Sequence, residues 1–410
     1  MQIYRVGGVI RDQLLGLKSQ DTDWVVTGAT PEQMVELGYQ PIGKDFPVFL
    51  HPQTKQEYAL ARSEKKVSCG YAGFQFNTDP AITIEQDLAR RDLTINAIAE
   101  DEHGHRIDPF NGEQDIKDKI LRHVSPAFVE DPVRVLRVAR FAARLHHLGF
   151  CIAEETCQLI RQIGASGELD ALVPERVWVE MDKALAETDP QIFFTSLRDC
   201  GVLKTLFPEI YALFGVPQTA TYHPEVDTGV HVMMVLKKTA ELGYDNEIRF
   251  AALTHDLGKA TTPSDILPSH HGHEQRGVKI TRKFCQKWRV PKATCELALM
   301  TCEFHTHIHR IYEMKPATIL KFLTRCDIFR RPQRFYKMTR ASIADARGRL
   351  HFENTTYPQA DYAWRLAQKL NALDLSEVVQ SDLQGQAMGQ AIQDFRLQAL
   401  KGFIEPEPVE

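Results

Sequence analysis

The spacing of apolar residues changes along this chain, and the change divides it. Over the first sixty residues, apolar positions come in short runs between turn residues. Ile3-Tyr4-Arg5-Val6, Asp23-Trp24-Val25-Val26, Val48-Phe49-Leu50 and Glu57-Tyr58-Ala59-Leu60-Ala61-Arg62 read as strands. Thr30-Pro31-Glu32 starts a helix, with Pro just inside the cap. Glu64 to Phe76 is polar, contains Gly and keeps no period, and it reads as a mobile loop. Beyond it a helical period takes over: an apolar-periodic run over 84–97, a helix start at Asp131-Pro132, and helices over 154–163, 174–187, 190–200, 230–240 and 248–257. The pattern predicts an α+β chain. A mixed α/β head spans 1–125, a helical neck and body 126–222, an all-α domain 223–350 and a helical tail 351–410 that frays at its end.

Candidate chemistry begins at the first turn. Gly7-Gly8 permits a tight turn and lets backbone N–H groups approach a ligand closely. Arg11 stands near the start of the next helix, where an anion is welcome. Asp21 and Asp23 lie two apart at a strand start, a spacing that puts strand residues on one face. Two carboxylates beside a phosphate-holding turn suit Mg²⁺-dependent phosphoryl or nucleotidyl transfer, because Mg²⁺ takes hard oxygen ligands and shares them with substrate phosphates. A glycine hairpin with a solvated acidic loop would show the same residues, so the motifs that follow decide.

Two such motifs come next: Arg90-Arg91-Asp92-Leu93-Thr94-Ile95-Asn96-Ala97, and Glu130-Asp131-Pro132-Val133-Arg134 with Arg137 and Arg140 beyond it. Arg134, Arg137 and Arg140 recur every three residues and share one broad helix face. Their small and apolar neighbours indicate a packed helix that turns guanidinium groups into a cleft. In this order the motifs resemble the class II tRNA nucleotidyltransferases, the CCA-adding enzymes of the polymerase-β superfamily, and their relatives the bacterial poly(A) polymerases. The resemblance implies a polymerase-β-like head in which Gly8 and Arg11 hold the triphosphate and Asp21 and Asp23 are the catalytic Mg²⁺ ligands. It implies that Arg91 contacts the nucleotide and that Asp92 and Asn96 hold the ribose or the local turn. Asp131 and Arg134 would read the base edge, and Arg137 and Arg140 would bind base or phosphates. CTP and ATP are the implied substrates and tRNA the implied partner. Asp108-Pro109-Phe110-Asn111-Gly112 reads as a structural turn.

A second constellation belongs to different chemistry. Nine of the sixteen histidines fall between residues 223 and 309. Histidine with carboxylate suits Ni, Co, Mn, Fe or Zn. His255-Asp256, with His231 upstream, resembles the HD phosphohydrolase superfamily. That resemblance implies a metal site of His231, His255, Asp256 and a distant aspartate, with Asp345 preferred over Asp327 and with His273 and His305 as candidate extra ligands. It implies phosphoester hydrolysis of the 2′,3′-cyclic phosphodiesterase, phosphatase or 2′-nucleotidase type, with Ni²⁺ or a similar transition metal. A head joined to such a domain resembles the multifunctional CCA-adding enzymes.

Composition narrows the field further. At 410 residues, two to four domains are expected. A net charge of −5 gives no bulk support for nucleic-acid binding, so any RNA contact must come from local patches. Residues 310–349 carry eleven Lys/Arg against three Asp/Glu, which suits either an RNA backbone contact or a face paired with acids elsewhere. Eight cysteines without a Cys-x-x-Cys spacing argue against zinc ribbons and disulfide scaffolds and fit a reducing compartment. No apolar run reaches membrane-spanning length and the first residues lack a signal-peptide layout, so the chain is expected to be cytoplasmic, as a monomer or homodimer. Addition of CCA to tRNA is the function these features favour. Poly(A) polymerase, an A-adding enzyme, and a metal phosphohydrolase with a nucleotide-sensing head are the rivals, and the pair Asp21 and Asp23 weighs against the last.

Overall fold

In the computed structural model, β1 (Gln2–Val6) runs antiparallel to β2 (Asp23–Thr27), with Val6 opposite Asp23. The model describes residues 1–19, 22–42, 48–66, 74–379 and 383–406. Around this pair grows a seven-stranded sheet with β3 (Gln40–Ile42), β4 (Val48–Leu50), β5 (Glu57–Leu60), and the later strands Ala99–Glu100 and Arg106–Ile107. β2 pairs parallel with β5; the other ladders are antiparallel. Both faces are buried, and the alternation of side chains explains how. Tyr4, Val6 and Val25 pack with Leu88 and Ala97 on one face; Val26 and Leu60 pack with Met34 and Phe49 on the other. Thr30 and Thr83 each close a capping box, with Gln33 and Gln86 respectively, so the helices Pro31–Glu36 and Ile84–Ala89 start where their sequences say.

One expectation fails here. The segment read as a loop forms an antiparallel ribbon, Ser63–Lys66 against Phe74–Asn77. Residues 67–73 lie outside the described residues.

The chain divides into two compact units, Met1–Leu206 and Phe207–Glu410. In the first, the helix Val133–Leu145 packs its apolar face, Val135, Leu136, Val138 and Ala142, against the helices Pro174–Ala186 and Gln191–Asp199. The helices expected over 154–163, 174–187 and 190–200 appear as Glu154–Ser166, Pro174–Ala186 and Gln191–Asp199. Against the expectation from cysteine spacing, Cys157 and Cys200 form a disulfide. The two positions are 43 apart, a separation that no local motif reveals.

The second unit is helical throughout its described part. Thr228–Glu241, Asn246–Thr254, His273–Lys287, Lys292–His309 and Pro332–Arg347 surround the histidine-rich region. Pro316–Arg325, Pro358–Asn371 and Gly385–Phe403 complete a core of Phe304, Phe322, Phe335, Met338 and Tyr362. A Cβ on Gly258 would lie 1.9 Å from the His273 carbonyl oxygen, so the turn after His255-Asp256 sits directly against the start of the next helix. Many cations of the basic segment are paired: Arg325 with Glu303, Arg331 and Arg334 with Glu296, Lys337 with Asp245 and Glu247, Arg340 with Asp361. Among the described residues, no helix is long and apolar enough to cross a membrane.

Candidate active sites in the two units

The head site is built around the Gly7 turn. Gly7 takes φ 71°, and its N–H donates to the Ile98 carbonyl at 3.0 Å. A Cβ there would fall 2.7 Å from Arg91 Nη1, so a side chain would push Arg91 out of place. The helix that follows, Gly8–Leu14, spans only seven residues, and its dipole contributes little. Arginines supply the positive field instead. Buried Arg11 donates through Nη1 to Asn96 Oδ1 at 2.5 Å and through Nε and Nη2 to Asp12 Oδ1 at 2.9 and 2.7 Å. Burial draws the Arg11 pKa below its usual value, with the Asp12 charge opposing the shift. Arg144 Nη2 donates to Asp12 Oδ2 at 3.0 Å and completes a chain of three charges.

Asp92 anchors the other wall. Its Oδ1 accepts from Leu93 N–H at 2.8 Å and Asn96 Nδ2 at 3.1 Å, and its Oδ2 from Arg137 Nε at 2.7 Å. Burial opposes the charge on Asp92, but Arg137 and these hydrogen bonds together hold the carboxyl well below the usual carboxylate range. The Asp92 charge in turn raises the Arg137 guanidinium pKa. Asp92 and Asn96 thus bond to each other and hold Arg137 and Arg11.

A cleft of about 670 Å³ opens between these walls. Gly7, Gly8, Arg11, Asp23, Arg91, Asp131, Arg134, Arg137 and Arg140 all line it, so the structure brings together nearly every head residue singled out from the sequence. Asp21 lies outside the described residues. Ten cationic side chains and three carboxylates line the cleft, an excess that suits a polyanion. Of the three evenly spaced arginines, Arg137 and Arg140 share Glu180 and the Phe141 ring, and Arg134 is held by backbone carbonyls. Arg134 donates to the Ala127 and Arg90 carbonyls at 2.7 and 2.6 Å; Arg140 Nε donates to Glu180 Oε2 at 2.7 Å while its guanidinium stacks on Phe141. Asp131 caps the helix through Val133 N–H and accepts a two-pronged contact from Arg176. Glu180, which holds Arg140, was not singled out from the sequence; Asp12, which holds Arg11, closes the motif Gly7-Gly8-Val9-Ile10-Arg11-Asp12 but had no role of its own. Glu180 stands forty residues from its partner, too far for any spacing rule to find.

The second unit gathers His231, His255, Asp256, His273, His305 and Asp345, all of them buried. His231 Nε2 lies 3.2 Å from Asp345 Oδ1, and His255 Nε2 lies 3.2 Å from Asp256 Oδ2 and 3.8 Å from Asp345 Oδ1. His273 and His305 Nε2 approach Asp256 Oδ1 at 3.4 and 3.6 Å. Of the two candidate aspartates, Asp345 is the one that lies beside His231 and His255. Asp327 pairs with Arg330 and Arg334 instead. The outer nitrogens of three imidazoles are tied down, with His255, His273 and His305 Nδ1 at 2.7–3.1 Å from the carbonyls of Ala252, His270 and Thr301; His231 Nδ1 lies 2.8 Å from Glu225 Oε1 outside hydrogen-bond geometry. This is the arrangement that orients imidazoles toward a metal.

Ligand chemistry fits as well. His231 Nε2, His255 Nε2 and Asp256 Oδ1 are buried without a hydrogen-bond partner, a costly state that a coordinated cation relieves. Burial opposes charge on Asp256 and Asp345. Even so, His255 and Lys259 around the first, and His309 and Arg349 around the second, hold both carboxyls well below the usual range. Burial keeps His305 well below the ordinary imidazole value. Three neighbours were not assigned a role from the sequence. His309 reaches Asp345 Oδ2 at 2.7 Å, Lys259 reaches Asp256 Oδ2 at 2.6 Å, and His223 joins Glu225. His309 was findable, since it lies four residues after His305 on one helix.

Residues 3–122 match the poly A polymerase head domain, residues 149–213 a probable RNA and SrmB-binding site of polymerase A, and residues 228–331 the HD domain. A poly(A)-polymerase-type nucleotidyltransferase head combined with an HD domain is the class that these folds and sites define. Within that class, the chain is 57% identical over 401 residues to the multifunctional CCA protein of Thioalkalivibrio sulfidiphilus, covering 98% of both chains. The chain belongs to the multifunctional CCA protein family. Its fold resembles that of the Thermotoga maritima CCA-adding enzyme complexed with tRNA (TM-score 0.62, 18% identity, covering 100% of this chain and 89% of that one). It also resembles the Bacillus stearothermophilus CCA-adding enzyme in complex with CTP (TM-score 0.62, 22% identity, 99% and 90% covered).

Proposed function

We propose that this chain builds and repairs the 3′-terminal CCA of tRNA from CTP and ATP, releasing pyrophosphate, and that its second unit is a metal-dependent phosphohydrolase. The observation that carries the first part is the arginine-lined cleft with Asp23 on its wall, in a chain of this family. The triphosphate lies against Gly8 and Arg11, with Arg91 alongside, and Arg11 is held in place by Asp12 and Asn96. Asp131 and Arg134 meet the base edge, and Arg137 and Arg140 support base or phosphates from the same helix. Asp23, with Asp21, would hold Mg²⁺. Asp23 fits the role, because the β1–β2 register sets its carboxylate beside the turn that faces the phosphates. Bound Mg²⁺ supplies positive charge to the attacked phosphate and the departing pyrophosphate. Attack comes from the RNA 3′-OH, and no protein nucleophile takes part.

In the second unit His231, His255, Asp256 and Asp345 would hold a transition metal such as Ni²⁺, with His273 and His305 extending the donor set. A metal held by these residues would supply Lewis-acid activation of water for phosphoester hydrolysis. The chemistry suits cyclic or terminal phosphates on RNA ends or nucleotides. The reading places the protein with its tRNA in the cytoplasm.

The test is extension of a tRNA transcript lacking its 3′ end, with CTP alone, ATP alone and both, in Mg²⁺. Two cytidines and one adenosine followed by a stop are expected. Unlimited adenosine addition would make the protein a poly(A) polymerase; adenosine only after a preformed CC end would make it an A-adding enzyme.

A further inference from the structure

A carboxylate offers about four acceptor positions, two on each oxygen. In Asp131, Oδ1 accepts from Val133 N–H at 3.1 Å and Arg176 Nη1 at 3.2 Å, while Oδ2 accepts from Arg176 Nη2 at 2.7 Å. Among the described residues, that leaves one acceptor position, on Oδ2, at the wall of the arginine-lined cleft. The helix start fixes the Asp131 backbone, whose carbonyl accepts from Arg134 N–H at 3.0 Å, and Val133 N–H holds one carboxylate oxygen. The remaining freedom is rotation of the carboxylate, and a two-pronged guanidinium contact removes it. Arg176 comes from another helix, Pro174–Ala186, and lines the same cleft.

We propose that Arg176 is a positioning residue for base choice: its fork holds Asp131 so that one carboxylate lone pair faces the incoming base and accepts from an exocyclic amino group. The inference rests on the reading above that Asp131 meets the base edge. Cytosine and adenine both present such an amine, at N4 and N6, whereas uracil and guanine present the carbonyl oxygens O4 and O6. An acceptor that faces an acceptor repels, so one oriented oxygen admits two bases and refuses the other two. A carboxylate free to turn would lose this contrast before it lost binding.

The test compares steady-state incorporation of CTP and of UTP onto a tRNA transcript that ends before CCA. The proteins are the full chain, R176A, R176K, D131A and the double variant. R176A is expected to lower the CTP-to-UTP ratio of kcat/KM by about tenfold or more, the scale of one lost oriented hydrogen bond, with its melting profile retained. R176K is expected not to restore the ratio, because an ammonium is a point charge without a fork. The double variant is expected to discriminate no worse than D131A. If D131A lowers the ratio and R176A leaves it unchanged, the positioning role is overturned while the base reading stands. If D131A leaves the ratio unchanged, the base reading falls and the inference falls with it. Additive losses in the double variant would show that Arg176 acts other than through Asp131, and would overturn the proposal. Should R176A unfold below the assay temperature, R176Q, which keeps length and polarity, carries the same comparison.

Discussion

Arg137 Nε donates to Asp92 Oδ2 at 2.7 Å, tying the helix Val133–Leu145 to a segment 45 residues earlier in the chain. Asp92 is buried, and Arg137 is the one cation in direct contact with it among the described residues. Arg137→Ala is therefore expected to leave a buried carboxylate partly unsatisfied, at a cost of about 1–3 kcal/mol. The lower half of that range is expected, because the Arg137 side chain is 36% exposed and solvent screens the pair. Thermal unfolding followed by circular dichroism reads this as a drop of roughly 2–4 °C per kcal/mol in a unit of this size.

The same carboxylate gives a pH dependence of definite sign. Its folded pKa lies below its unfolded value, so the unfolded chain binds the proton more readily. The stabilisation is fully present above about pH 5 and is lost as pH falls through the folded value. Melting temperature measured from pH 6 downward is expected to fall in the acid range. Asp92→Asn is expected to start lower and to show a shallower acid slope; an equal slope would assign the loss to other carboxylates.

Asp23→Asn keeps the size of the side chain and removes its charge. Nucleotide addition is expected to fall by about 10²–10⁴-fold, the scale of losing a metal-holding group in phosphoryl transfer. Metal content of the second unit is expected to stay unchanged in this variant, because His231, His255, Asp256 and Asp345 belong to a separate compact unit. Nucleotide incorporation and elemental analysis on the same preparation check both halves.

The two candidate distal aspartates separate cleanly. Asp345→Asn is expected to reduce bound transition metal at least tenfold, since its Oδ1 lies within 4 Å of both His231 and His255 Nε2. Asp327→Asn is expected to leave metal content unchanged, because Asp327 pairs only with arginines among the described residues. Chelation is expected to lower the melting temperature of the native protein and to have little effect on Asp345→Asn, as ligand linkage requires. Metal content by elemental analysis and melting with and without chelator decide it.

What the sequence displayed was local and periodic. Thr30 with Gln33 and Thr83 with Gln86 announce helix starts within four residues, and both capping boxes form. Alternation in Val25-Val26 shows a strand buried on both faces. Arg134, Arg137 and Arg140 were visible as one face, but their partners were not. A three-residue period says where side chains point and nothing about what awaits them; Glu180 and Asp92 arrive from 40 and 45 residues away. The pairing of Ser63–Lys66 with Phe74–Asn77 was hidden because Ser63–Lys66 shows no strand period in its sequence. Cys157 and Cys200 were hidden for the same reason as Glu180: their meeting is set by how the helix Glu154–Ser166 packs. His255 and Asp256 were legible because adjacency is itself the motif, while His223 and Glu225, which steady His231 from outside, carry no pattern of their own.

Val6 faces Asp23 across a ladder whose five pairs run from Gln2 with Thr27 to this last one. The placement of the carboxylate beside the glycine turn is thus stored in strand pairing, while the connection between the strands does not determine it. The stretch from Leu15 to Ser19 can therefore lengthen or shorten without relocating Asp23, provided the ladder keeps its phase. A single-residue insertion inside either strand is far more damaging, because it turns Asp23 to the opposite side of the sheet. Tolerance to insertion should therefore differ between residues 15–19 and β2, a contrast that one-residue insertions through 15–19 and through 23–27 would trace.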